Sequence, residues 1–388
     1  MAFSQFTNVS LAAVSAVVPA ESVALADELQ YYEGSLEKAQ RLATLSGLNI
    51  RRKALPGVTA SDLCVQAAQR LLAETGVDKS EIGALIFVSH SPDYLLPASA
   101  AIQQHILGLS HECATMDMNV GCAGWVKGFW VASGLVASRA CSKVLLLVGD
   151  TPNRFLDPAN RVTSPVFGDA GTAALITYDE SAGPMSFLLG SNGSKHEALV
   201  IPGGGSRIPQ RADETPADVY NQKVADPKGN PWTLGGYGQI WMDGMAIYSF
   251  GVSVIPPHIM RHLELTQTGQ EQVNKLLLHQ ANRVIIEAIA KKTGLPLEKV
   301  PYETLTKYGN LGSSSVPTLM CEHFSPTGLG TDRSKVLLCG FGAGLAWASC
   351  LLSLEGTRIL PVHDYIAPEH IPTREEHIAR WHKKFSGE

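Results

Sequence analysis

The 388-residue chain predicts an α/β fold made of two copies of one unit. Apolar runs of strand length recur, and each leads into a segment with helical periodicity, the pattern of sheets covered on both faces. The second half of the chain then repeats the first. KVLLLVGD at 143–150 has a counterpart in KVLLCGFG at 335–342, and FGDAGTAALI at 168–177 in FGAGLAWASCLL at 341–352. An offset of about 190 residues is far too long for a solenoid repeat and points to a duplicated domain. With 45% hydrophobic and 17% charged residues, such a chain can bury large cores.

Taken in order, residues 8–25 are mostly apolar but interrupted by Pro19 and Glu21, so a first strand followed by a turn is expected. The first basic residue is Lys38, whereas a secretory signal opens with a basic region. Residues 83–89 form a strand leading through a Pro-containing loop into a helix over 98–108. Residues 143–149 form another strand. Residues 273–278 lead through HQAN into a helix over 283–293, and 335–339 repeat the pattern. The natural division is an N-terminal half, 1–178, and a C-terminal half, 179–388. Residues 190–240, with GGG at 203–205 and five prolines, break the pattern and read as a long excursion, a lid or an interface loop. The charged tail after Gly356 reads as a solvated terminal helix packed on the body, its His377 and His382 lacking further metal ligands.

A net charge of −5 argues against a general nucleic-acid binder, which needs a basic face. No window reaches the roughly 18 uninterrupted apolar residues of a membrane span. The seven cysteines show no CxxC and no zinc-ligand spacing, so most read as small buried residues in a reducing compartment. A soluble, cytoplasmic protein without a metal site is expected.

Three segments carry candidate chemistry. Cys122 lies in VGCAGW, between Gly121 and Ala123-Gly124, just before a helical segment. A helix N-terminus aimed at the sulfur favours thiolate, which predicts a pKa below the free value of about 8.5. The same N–H groups could meet an oxyanion formed on a thioester. A structural cysteine at a glycine-tolerant helix start would read the same way. His279 closes an apolar strand, with Gln280 and Asn282 beside it, where α/β sheets keep their sites. Asn310 sits between Gly309 and Gly312, a pattern that alone signals only a turn, with serines 313–315 starting the next helix.

Together these segments resemble the ketoacyl-ACP synthase III family of thiolase-fold enzymes. The matching stretches are VGCAGW, HQAN, GNLGSSSVP, FGDAGTAAL at 168–176, and the glycine turn GFGAG at 340–344 with Trp347 behind it. The resemblance implies a five-layered αβαβα core built from the two halves, and a homodimer. It implies that Cys122 takes an acyl group from an acyl-CoA or acyl carrier protein, its oxyanion met by the backbone N–H groups of Cys122 and Ala343. His279 and Asn310 would hydrogen-bond a malonyl thioester as it loses carbon dioxide, and Phe341 would separate the two reacting sites. No metal or redox cofactor is called for. Arg161 matches an arginine that grips the coenzyme A adenine, although its expected tryptophan partner is replaced near Arg41 and a second arginine by Leu45. Arg283, Lys291 and Lys292 match a basic docking face for the acidic carrier, and Asn282, in HQAN, is counted among the substrate-binding residues. Leu96 stands where the family closes the acyl pocket across the dimer, and a leucine there predicts medium-length or branched acyl groups over acetyl. The long excursion and tail suggest a specialised pathway. An acyltransferase acting on an alcohol or amine, a type III polyketide synthase-like enzyme, and a catalytically silent partner subunit are the alternatives.

Overall fold

The computed structural model describes residues 2–32, 34–158, 160, 162–209, 223–225, 231–233 and 238–386. Two mixed sheets form its frame. The first runs in the order Arg358–Ile359, Val9–Val18, Ala170–Tyr178, Lys143–Asp150, Ile82–Val88, Ala114–Met118. The second runs Ala2–Phe6, Met185–Ser191, Ala346–Leu352, Val336–Gly342, Lys275–Leu278. In the first, Lys143–Asp150 pairs parallel with Ile82–Val88 and antiparallel with Ala170–Tyr178. In the second, Val336–Gly342 pairs parallel with Lys275–Leu278 and antiparallel with Ala346–Leu352. The segments that echo one another in sequence thus occupy corresponding strands.

The alternation of side chains along these strands explains the layering. Val144, Leu146 and Val148 face the middle of the molecule, while Leu145 and Leu147 face outward. In the second sheet Val336 and Leu338 face the middle, and Leu337 and Cys339 face outward. Each strand is therefore apolar on both faces, and both faces must be covered. Between the sheets lie the helices Gly124–Ala137 and Ser315–Phe324, contributing Trp125, Phe129, Leu319 and Phe324 to one core. Outside the first sheet packs Ala60–Thr75, started by a reciprocal Thr59–Asp62 capping box. Outside the second pack Ile255–Leu265 and Arg283–Thr293. The order of layers is αβαβα, and it belongs to the two halves together: each supplies one sheet, an outer helical layer and one central helix.

The chain ends cross between the halves. Ala2–Phe6 pairs with Met185–Ser191 in the second sheet, and Arg358–Ile359 and His363–Asp364 return to pair with Val9–Val18 in the first. The 190–240 excursion is pinned at its two ends by a short ladder, Leu199–Val200 against Trp241–Met242. Beyond it, Lys223–Ala225 pairs with Pro231–Thr233. The tail forms a helix over Arg374–Ser386, whose Trp381 meets Tyr94 edge to face. Among the described residues no helix is long and apolar enough to cross a membrane.

Candidate active site

Cys122 lies after the strand Ala114–Met118, two residues before the helix Gly124–Ala137, and only 8% of it is exposed. Two glycines of the opposing strand make room for it. A Cβ on Gly342 would stand 2.7 Å from the Cys122 sulfur, and one on Gly340 would stand 2.8 Å from its carbonyl oxygen. The GFGAG turn is thus a place where one backbone presses on another.

The thiol departs from the expectation of a lowered pKa. Burial pushes it up to about 12, and the Asp150 carboxylate pushes the same way. The backbone N–H groups of Ala343 and Cys122 work in the opposite direction but are outweighed. The helix start alone therefore mispredicts the sign, because desolvation of a thiolate outweighs two N–H dipoles.

His279 continues the strand Lys275–Leu278, its N–H bonded to the Cys339 carbonyl at 2.8 Å. It is buried, its Nδ1 meets no hydrogen-bond partner among the described residues, and burial lowers its pKa to about 3, the Gly312 backbone opposing. The ring is accordingly neutral at ordinary pH. Phe341 packs edge to face against it, ring centres 5.4 Å apart.

Asn310 is fixed through its backbone. Its N–H donates to the Val166 carbonyl and its own carbonyl accepts from Gly168, both at 2.9 Å. Gly168, from the FGDAG stretch, can be nothing larger: a Cβ there would fall 2.0 Å from the Tyr308 carbonyl. The Asn310 Oδ1 accepts from the Gly312 N–H at 3.0 Å, which leaves the side-chain NH2 as the free donor. Cys122, His279, Asn310, Asn282 and Phe341 all line one small cavity of about 70 Å³.

A second, larger cavity of about 480 Å³ opens on the other side of Cys122. Its walls include Val120, Phe155, Leu199, Val200, Ile201 and Ile240, so the pinned ends of the 190–240 excursion form part of it. Asp150 and Lys127 also line it, and the sequence analysis singled out neither. Asp150 accepts from the His90 N–H at 2.8 Å, the Ser313 N–H at 3.0 Å, and the hydroxyls of Ser89 and Ser313. Lys127 was visible as the lone charge in the helix GWVKGFWVASGLVA.

The other expected residues are more scattered. Asn282 caps Arg283–Thr293, its side chain accepting from the Ile285 N–H at 2.9 Å. Arg283 beside it is exposed and paired with Glu287 at 2.7 Å. Lys291 and Lys292 are exposed in the helix's last turn, where Lys292 donates to the Val252 carbonyl at 2.8 Å. Leu96 is 83% exposed and lines neither cavity around Cys122. Arg161 lies outside the described residues.

Comparison with known proteins follows the same geometry. A family model described as 3-oxoacyl-[acyl-carrier-protein (ACP)] synthase III matches residues 116–193, which hold Cys122, and its C-terminal counterpart matches 263–354, which hold His279 and Asn310. A putative 3-oxoacyl-[acyl-carrier-protein] synthase 3 of Campylobacter jejuni is 31% identical over 90% of this chain and 95% of its own. The chain belongs to the synthase III family. A beta-ketoacyl-[acyl-carrier-protein] synthase III of Rhodopirellula baltica is 33% identical over 79% of this chain and 88% of its own. A 3-oxoacyl-(acyl-carrier protein) synthase of Burkholderia xenovorans LB400 superposes with a TM-score of 0.84 at 31% identity, covering 94% of this chain and 99% of its own. Like its family, this synthase III member is an acyltransferase of the condensing type on a thiolase-like fold.

Proposed function

We propose that the chain loads an acyl group on Cys122 and condenses it with a malonyl thioester, releasing carbon dioxide and a 3-oxoacyl thioester. The single observation that carries this reading is the small cavity shared by Cys122, neutral His279 and the outward NH2 of Asn310. In loading, the sulfur attacks the donor thioester, a new S–C bond forms, the old one breaks, and the thiol proton leaves with the departing thiol. The N–H groups of Cys122 and Ala343 hold the oxyanion of that step. His279 and Asn310 then donate to the malonyl carbonyl oxygen. The bond to the carboxylate breaks, its electron pair enters the enolate, and the resulting carbon attacks the acyl-cysteine carbonyl; the S–C bond then breaks, and Cys122 leaves as thiolate and takes a proton from solvent. Two neutral donors suit a developing oxyanion without binding the ground state as tightly as a cation would. No metal or redox cofactor takes part.

The donor is an acyl-CoA or an acyl carrier protein thioester. Arg161 is assigned to the former and the face of Arg283, Lys291 and Lys292, beside cavity-lining Asn282, to the latter. Leu96 reaches the acyl pocket of a second copy in a homodimer. A cavity of about 480 Å³ beside the sulfur supports donors longer than acetyl, and the long excursion walling it supports a specialised pathway.

Intact-protein mass spectrometry with acetyl and six- to ten-carbon acyl donors tests this reading. A mass gain absent from Cys122→Ala is expected, larger by at least about tenfold in rate for the longer donors, followed by malonate-dependent carbon dioxide release. Loading without any malonate-dependent product would turn the reading into simple acyl transfer to an alcohol or amine.

A further inference from the structure

The larger cavity carries a charge that the condensation chemistry leaves unused. Lys127 is the one ionic residue in the helix Gly124–Ala137. It is half-buried, it lines the cavity five positions beyond Cys122, and burial alone acts on its ammonium, which burial lowers from its ordinary pKa. Among the described residues its side chain has no hydrogen-bond or ion-pair partner. Cys122 lies just before the start of this helix, so the sulfur and the ammonium open into the same cavity from different points of its wall.

The one carboxylate in the cavity does not answer it. Asp150 is occupied by four donors from two segments, and its charge bears on the Cys122 sulfur, not on Lys127. The rest of the lining is largely apolar, Val120, Leu199 and Ile240 included. His90, whose ring packs on Gly121, adds a second polar group to the lining. A half-desolvated cation without a partner is costly in an empty pocket and useful in a filled one. A largely apolar cavity beside the sulfur that also holds such a cation matches an apolar chain ending in an anion.

We infer that the acyl group taken by Cys122 ends in a carboxylate, an ω-carboxyacyl chain whose far end is held by Lys127. This rests on the reading of Cys122 as the acyl carrier and narrows its donor class. The loading step is unchanged: the S–C bond forms at the thioester carbon, the donor thiol leaves with the cysteine proton, and the distal carboxylate stays intact.

The test is competitive loading of the full-length enzyme with matched donors, adipyl-CoA against hexanoyl-CoA and suberyl-CoA against octanoyl-CoA, read by intact-protein mass. The wild type is expected to favour the ω-carboxy member of at least one pair about tenfold or more. Lys127→Met should collapse that ratio at least tenfold, and Lys127→Arg should keep most of it. A wild type that prefers hexanoyl and octanoyl would overturn the inference while leaving the acyl-carrier reading intact. A Lys127→Met protein that loses both members of a pair equally, or that elutes at a different oligomeric size, would make Lys127 a structural or interface residue and also overturn it. No Cys122-dependent adduct with any donor would sink the carrier reading itself.

Discussion

At Cys122 two effects pull the thiol in opposite directions. The N–H groups of Ala343 and Cys122 stabilise a thiolate, while burial and Asp150 oppose it, and the second pair wins. Because the folded pKa is raised to about 12, only a small thiolate fraction exists near neutrality and that fraction grows tenfold per pH unit. Alkylation of Cys122 by iodoacetamide in the unliganded enzyme should therefore keep rising through pH 10. A plateau near pH 8 would contradict the buried setting. The same crowding gives a second expectation. Gly342→Ala puts a methyl group 2.7 Å from the sulfur, and a displacement of the nucleophile by about 1 Å costs roughly a hundredfold in rate. Acylation kinetics should show that loss with the fold preserved by circular dichroism.

The turn carrying Asn310 is held from several sides. It is tied to Val166 and Gly168 through its backbone and to the end of the strand Lys143–Asp150 through the Asp150–Ser313 hydrogen bonds. Asp150 thereby links the first sheet, the loop at Ser89–His90 and the Gly312–Ser314 turn. Asp150→Ala would strand several buried donors, at a cost of about 3 kcal/mol or more. A lower urea midpoint is expected, together with a larger fall in malonyl decarboxylation than in acyl loading, since the Asn310 turn is what loosens. Equal losses in both steps would place Asp150 on the nucleophile side alone.

Across the whole molecule, the outer layer on the second sheet holds a buried hydrogen-bonded relay. Ser349 Oγ lies 2.9 Å from His258 Nε2 and 2.6 Å from His262 Nδ1, and His262 Nε2 lies 2.9 Å from Ser186 Oγ. Burial lowers His258 to about 4 and His262 to about 3. These folded values lie below the ordinary histidine value, so below about pH 6.5 the unfolded chain binds more protons and stability drops as pH falls. Asp169, whose carboxyl burial pushes up to about 6, acts with the opposite sign. The variant His262→Gln isolates the histidine contribution. Its melting temperature should fall less than that of the wild type between pH 7 and pH 4.5, although it starts lower. Parallel curves would mean that the relay is already open in solution.

Much of this was legible in the residues. The duplicated KVLL strands occupy matching places because a strand apolar on both faces can only be an inner strand. Cys122, His279 and Asn310 were visible because their glycine and polar neighbours are needed wherever backbone approaches backbone or a donor must be aimed. Other features had no local signature. Asp150 looked like a strand end, and its four donors come from segments up to 163 residues away. Lys127 was a stray charge on an apolar helix until Leu199–Val200 and Ile240 closed a cavity around it.

The sequence by itself determined the two-sheet architecture, the family and the three residues that the structure gathers around one small cavity, because periodicity, glycine placement and short motifs are local properties. The tertiary structure decided the charge state of Cys122, the crossing of the chain ends, and the polarity of the cavity beside the sulfur. Those depend on desolvation and on distances between remote segments, which exist only once the layers have packed.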